Sequence, residues 1–197
     1  MEGYAASLAA LGIAVVLGIA SWFELGRFLL RRHIKLIFLA GIFIIFGLTG
    51  YAVARQYLLW LHDPLARFLL PPYQDISYFV FYSLTHFFLP YLISVVAALL
   101  LLIAAKVLNK KQEEKFFEKE EPYLAALSLF LVGHPGWLIY LVALILAYFI
   151  LHTSYFILRR EAARLPLYRL WAPTAFFVIL LNEYWFGQTN WWQLLVI

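Results

Sequence analysis

The chain has 197 residues, of which 65% are hydrophobic, 19% are aromatic and 13% are charged. Soluble domains average about 45–50% apolar and about 25% charged residues, so this chain has too few charges to cover a water-facing globule. It contains no cysteine, which excludes disulfides, thiolate metal sites and cysteine nucleophiles. The net charge of +4 gives no reason to expect a nucleic-acid partner, because the basic residues lie in short segments between apolar runs. The sequence therefore predicts a multi-pass protein of the plasma or inner cell membrane, with the lipid bilayer as its partner.

Six apolar segments follow one another along the chain, and most of them reach the ~20 residues that cross a bilayer as a helix. We predict an all-α transmembrane helix bundle with about six spans, at 4–26, 36–61, 76–105, 122–133, 137–158 and 167–187. The first segment opens with Glu2 and its basic residues follow it, so we interpret it as a retained span and not as a signal peptide. Residues 1–197 then form a single integral membrane domain, with a charged cytoplasmic linker at 106–121.

The basic residues predict how this bundle is oriented. Of the 15 lysines and arginines, all except Arg55 and Arg67 lie between spans one and two, three and four, or five and six. Loops rich in lysine and arginine face the cytoplasm, so both termini are predicted to face out. Tryptophans near the predicted inner and outer boundaries agree with this layout, since indole rings favour the headgroup zone.

The fourth span is unusually short. As a helix, residues 122–133 rise about 18 Å, whereas the hydrocarbon core is about 30 Å thick. Pro122 suits the first helical position, and the sequence "GHPG" at 133–136 predicts a turn. We expect neighbouring spans to shelter this helix.

Three acids define the first candidate site. Glu24 ends span one, Glu120 and Glu121 begin span four, and the predicted topology places all three at the cytoplasmic face. Two such carboxylates can share a proton, one acting as a base on water and the other as an acid. They are equally explained as solvated charges at a helix entrance, where the macrodipole favours acids, with Glu24 paired to Arg27.

A second polar group is predicted in the outer half of the membrane. Arg55, His86, Asn182 and Glu183 fall at similar depths in spans two, three and six. Ionisable groups at such depth usually face the bundle interior and pair with one another, so we expect an Arg55–Glu183 pair. It would act as an interhelical clamp, which we favour, or as a proton or ion relay.

The sequence offers no sign of a cofactor or metal. Its five histidines show no paired spacing on one helix face, which disfavours zinc and haem. Nucleophile-elbow, phosphate-loop and His-Glu-x-x-His motifs do not occur in it either.

The stretch "EPYLAALSLFLVGHPGW" (121–137) resembles the segment of prepilin and preflagellin peptidases that follows their Gly-x-Gly-Asp motif. Glu121 takes the place of the motif aspartate, Leu124 and Ala125–Ala126 match the run that follows, and Gly133 matches its closing glycine. "RLPLYRLWAP" (164–173) is similar to the entry of the last span. The resemblance implies an intramembrane aspartyl-peptidase fold of six spans, with Glu24 in the place of the first catalytic aspartate. Both family aspartates are glutamates here.

Three functions follow as alternatives. The chain is a diverged or inactive intramembrane peptidase, in which Glu24 and Glu121 or Glu120 would activate water to cut a membrane-embedded leader peptide. Alternatively, it is a non-enzymatic assembly or scaffold subunit that binds other membrane proteins through aromatic, lipid-facing helices. The third alternative is a small proton- or ion-coupled transporter that uses Arg55, His86 and Glu183.

Overall fold

The computed structural model describes residues 4–111, 117–159 and 167–185, which are 88% helical and contain no strand. These ranges contain seven α-helices, one short 3₁₀ helix and one short π-helix. The α-helices are α1 (Tyr4–Trp22), α2 (Glu24–His62), α3 (Ile76–Ser83), α4 (Leu89–Lys111), α5 (Glu121–Val132), α6 (Gly136–Arg159) and α7 (Tyr168–Tyr184). A 3₁₀ turn occupies Ala66–Leu69, and a π turn at Leu84–Phe88 joins α3 to α4 without a break. The all-α prediction is therefore confirmed.

Four of the described helices are long and apolar enough to cross a membrane: α1, α2, the continuous helix over 76–111, and α6. Helix α5 is shorter than a span, as the sequence indicated. Two boundaries differ from the predicted ones. Residues 27–35, expected as a loop, and Glu24, expected to end span one, belong to the first turns of α2. Residues 106–111, assigned to the linker, are the last turns of α4.

The turn between α1 and α2 consists of the single extended residue Phe23. After it the chain folds back, so that residues 9–17 of α1 and 36–44 of α2 line a common groove. Gly26 makes this turn sterically possible, because a Cβ atom there would lie 2.3 Å from the carbonyl oxygen of Ala20. The apolar face of α2 recurs every three to four residues, from Leu30 to Ala52, and points toward the bundle.

Helix α5 occupies the centre of the bundle. Eleven of its twelve residues are buried, and α1, α2, α4, α6 and α7 all pack against it. The helix ends at Gly133, whose φ of 76° lies in the left-handed region that favours glycine. Its neighbours therefore provide the shelter expected for a segment too short to span hydrocarbon.

The π turn lies where the sequence contains Pro90. Proline has no N–H, so the carbonyl group four residues earlier, that of His86, loses its usual helical donor. The chain passes this point with a wider turn, in which the Leu89 N–H bonds to the Leu84 carbonyl five residues back.

The loop between α2 and α3 is organised by two aspartates. The Asp63 carboxylate accepts hydrogen bonds from the N–H groups of Leu65 and Ala66, at 2.8 and 2.9 Å. Asp75 is the N-cap of α3 and accepts from the Ser77 N–H at 2.8 Å. Because these bonds favour the ionised form, they hold the pKa of both carboxyl groups below the ordinary value.

Candidate site at the basic end of the bundle

Several helix termini meet at one end of the bundle. The end of α1 and the starts of α2, α5 and α7 are joined there by side-chain contacts of Arg27, Arg31, Tyr168 and Arg169. We call this the basic end. The end of α4 joins it through Asn109, whose side chain accepts from the Phe117 N–H at 2.8 Å and donates to the Phe117 carbonyl at 3.1 Å.

Arg31 connects α2 to the segment that precedes α5. Its Nε donates to Glu120 Oε1 and its second terminal nitrogen donates to Glu118 Oε2, both at 2.5 Å. The Glu120 side chain is only 7% exposed, whereas that of Glu118 is 41% exposed. Arg31 therefore neutralises a buried carboxylate while remaining half in solvent, and its planar fork binds two acids at once.

The carboxylate of Glu121 is buried and bound by backbone groups. Its Oε1 accepts from the Tyr168 N–H at 2.9 Å, and its Oε2 accepts from the Glu118 N–H at 3.1 Å. Tyr168 is the first residue of α7, so Glu121 caps that helix from a neighbouring one. A helix N-terminus favours a negative charge, because its first N–H groups have no partner within the helix.

Glu24 lies at this end of the bundle but outside the bonded group. Its side chain is exposed at the first position of α2, and among the described residues none bonds or pairs with its carboxylate. The predicted partner, Arg27, instead donates to the Tyr168 hydroxyl at 2.8 Å and lies over the Tyr168 ring. The expected Glu24–Arg27 pair is therefore absent.

This geometry limits the chemistry of the acids. A general acid and a general base need two carboxyl groups that face a common water or substrate. Glu120 and Glu121 are instead occupied by a guanidinium and by two backbone N–H groups, and Glu24 faces outward. No cluster of three or more acid or histidine side chains fit to hold a metal occurs within the described ranges.

A cleft of about 340 Å³ opens beside Arg31. Two cations and two carboxylates face it, so its charge is balanced. Its lining residues are Arg31, Asn109, Phe117, Glu118, Lys119 and Glu120.

The second predicted group is near the opposite ends of these helices. His86 is exposed, its ring stacks on Tyr82 with centroids 4.4 Å apart, and its Nδ1 lies 3.2 Å from the Tyr82 carbonyl oxygen. Glu183 is half-buried. Among the described residues, the ion pairs are Arg31–Glu118 and Arg31–Glu120. The expected Arg55–Glu183 ion pair is not one of them.

Asn182 completes this group. Its Oδ1 is buried and has no hydrogen-bond partner within the described residues, and its amide lies beside Gly136 at the start of α6.

Sequence reasoning missed Arg31, Tyr168 and Asn109 as members of the basic end. Arg31 was counted as one of several loop cations, and only the fold shows that it reaches the carboxylate of Glu120. Tyr168 belongs to the stretch "RLPLYRLWAP", whose likeness to the last-span entry of the peptidases was the available signal.

Comparison of the chain with protein-family models, with curated proteins and with solved structures gave no match.

Proposed function

We propose that this chain is a polytopic protein of the cell membrane whose acid cluster is a structural clamp, and that its function is that of a non-enzymatic scaffold for other membrane proteins. In this proposal the bundle has six spans and both termini outside, and it is a diverged relative of the prepilin-peptidase fold. The two glutamates in the places of the catalytic aspartates have lost the catalytic role.

One observation carries this proposal. The buried acids already have partners: Glu120 is bound to Arg31, and Glu121 accepts two backbone N–H bonds that fix the start of α7. A carboxylate that accepts these hydrogen bonds is poorly placed to exchange protons with water. Removing it would leave a buried N–H or a buried charge without a partner, which is costly.

The charge distribution supports the proposed orientation. Four basic residues make their contacts at or next to the basic end, namely Arg27, Arg31, Lys106 and Arg169. Each of them belongs to a predicted cytoplasmic loop or helix end. Lysine and arginine in such positions are retained on the cytoplasmic side.

A diverged peptidase is the second candidate. It is favoured by the fact that the start of α2, where Glu24 lies, and the start of α5, where Glu120 and Glu121 lie, are at the same end of the bundle. A peptide helix entering between them would have to displace Arg31 or Tyr168 before two carboxyl groups could reach it.

A cleavage assay separates the two candidates. The chain is co-expressed with an epitope-tagged membrane protein that carries a helical leader peptide, and the leader is followed by electrophoretic mobility. The scaffold proposal predicts no cleavage above that of cells lacking the chain. Cleavage by the wild type that disappears in a Glu24→Gln/Glu121→Gln variant of equal expression, and persists in Glu118→Gln, would establish the peptidase instead.

Purification in mild detergent tests the scaffold role directly. A scaffold brings a membrane protein with it in fixed stoichiometry, whereas recovery of the chain alone from the native membrane would contradict this role.

A further inference from the structure

Two arginines at the basic end have no carboxylate partner among the described residues. Arg27 and Arg169 are half-buried, and within the described ranges their Nε atoms have no hydrogen-bond partner, although Arg27 donates to the Tyr168 hydroxyl through a terminal nitrogen. No carboxylate of the described residues lies within 4 Å of either guanidinium, in contrast to Arg31, which binds two. No carboxylate of the described ranges therefore compensates their positive charge.

Both guanidinium groups contact the same aromatic ring. They lie 5.3 and 5.6 Å from the centroid of the same ring, that of Tyr168, and Arg169 also lies 5.2 Å from the ring of Trp22. Cation–π contacts position a guanidinium without neutralising it. Both guanidinium groups therefore keep their positive charge, and Arg169 lies at the level of Trp22, a tryptophan of the predicted interface.

An apolar groove of about 490 Å³ ends at this site. It runs between α1 and α7, and Trp22, whose ring bears Arg169, is one of its walls. On α7, Arg169, Pro173 and Phe176 are spaced so that they share one face of the helix. The lining residues are Ala14, Val15, Gly18, Ile19, Trp22, Phe23, Pro173 and Phe176.

Small residues open this groove. Gly18 has no side chain, and a Cβ atom at that position would still lie 3.9 Å from the ring of Pro173. From Ala14 to Trp22 the groove extends about 12 Å along the axis of α1 at helical rise. Its length and its apolar walls suit a hydrocarbon chain that lies parallel to the helices.

We propose that the basic end binds one anionic phospholipid, with its phosphate on Arg27 and Arg169 and an acyl chain in the groove between α1 and α7. Arginine forks match phosphate oxygens, and a headgroup phosphate would supply the negative charge that no described carboxylate supplies to these two residues. The cytoplasmic leaflet, which the proposed orientation places at this end, is the one rich in anionic lipids. The inference holds for either candidate function, because neither arginine is a member of the carboxylate clamp.

Native mass spectrometry of the full chain, released from detergent, measures this binding. Phosphatidylglycerol and phosphatidylcholine with the same acyl chains are added in turn. We expect phosphatidylglycerol to bind and phosphatidylcholine to bind at least about tenfold more weakly, since only the first carries net negative charge.

Matched variants locate the site. Arg27→Gln/Arg169→Gln should weaken phosphatidylglycerol binding about tenfold or more, whereas Arg32→Gln/Lys35→Gln removes the same charge from exposed positions of α2 and should leave it within about threefold. Gly18→Leu, which fills the groove, should reduce binding of the lipid although both arginines remain.

Three results would overturn the proposal. Equal loss in both double variants would show that diffuse surface charge attracts the lipid. Undiminished binding in Gly18→Leu would show that no chain occupies the groove. Thermal stabilisation by inorganic phosphate alone, as large as that given by the lipid, would assign the site to free phosphate. If the arginine variant does not fold, Gly18→Leu and the comparison of the two lipids on the wild type still test whether an anionic lipid binds at this site.

Discussion

Replacing Glu121 by glutamine tests whether this carboxylate acts as a clamp. The amide retains one oxygen for the Tyr168 N–H, but that bond, now 2.9 Å long and charge-assisted, becomes a neutral one. Charge-assisted bonds contribute about 1.5–3 kcal/mol and neutral ones about 0.5–1.5 kcal/mol, so this change costs about 1 kcal/mol. The other oxygen becomes an NH₂ group that faces the Glu118 N–H, and an unsatisfied donor costs about 1–2 kcal/mol more.

The free energy of unfolding of Glu121→Gln should therefore fall by about 2–3 kcal/mol. Titration of the purified protein with sodium dodecyl sulfate in mixed micelles, followed by tryptophan fluorescence, measures it. Glu24→Gln is the matched control, because its carboxylate is exposed and unbonded and its loss should change stability by less than about 0.5 kcal/mol. Equal stability of the two variants would refute the clamp.

Three further outcomes are expected. Arg31→Ala should lower the free energy of unfolding by about 1–3 kcal/mol, because it leaves Glu120 buried without a cation, and adding Glu120→Gln should restore part of that loss. Gly26→Ala should lower the free energy of unfolding by at least about 2 kcal/mol, because the added Cβ atom would meet the backbone of α1. Gly47→Ala adds a Cβ atom in open space and should raise the free energy of unfolding by up to about 1 kcal/mol. The thermal unfolding temperatures of the two variants should therefore shift in opposite directions. The stability that the Asp75 cap gives to α3 is present above the unfolded pKa of about 3.9 and is lost as the pH falls through the lower folded pKa. Protection of the Ser77 amide, which Asp75 caps, from hydrogen exchange should therefore decline below about pH 4 and not above it.

The sequence was sufficient to predict the class of fold and the short buried helix. Long apolar runs have no alternative to helix in a bilayer, because every backbone N–H and carbonyl must be paired within the segment. The run at 122–133 was bounded by Pro122 and Gly133, residues whose backbone preferences mark a helix start and stop. The turn at Gly133 follows from the same local chemistry.

Boundaries that depend on charge were predicted less well. The run from Arg27 to Lys35 was assigned to a loop because it is basic, yet arginine and lysine are good helix formers and here they continue α2. The true turn lies at Phe23, where the small size of Gly26 matters more than polarity. Close approach of two backbones is a tertiary property that a hydropathy pattern does not contain.

The partners of the acids were the part of the site that the sequence could not supply. Glu120 and Arg31 are 89 residues apart, and Glu121 and Tyr168 are 47 apart. Charge counting placed them at one face of the membrane, but it could not distinguish an exposed Glu24 from a buried Glu121.

The length of α2 has a mechanical consequence. At 39 residues it extends about 58 Å, almost twice the ~30 Å of the hydrocarbon layer, and it contains no proline. Its first turns bear Arg31, and its last turns bear Trp60, which packs on α3. Without a proline kink in α2, a displacement of its first turns at the basic end would tilt the helix and so move its opposite end as well.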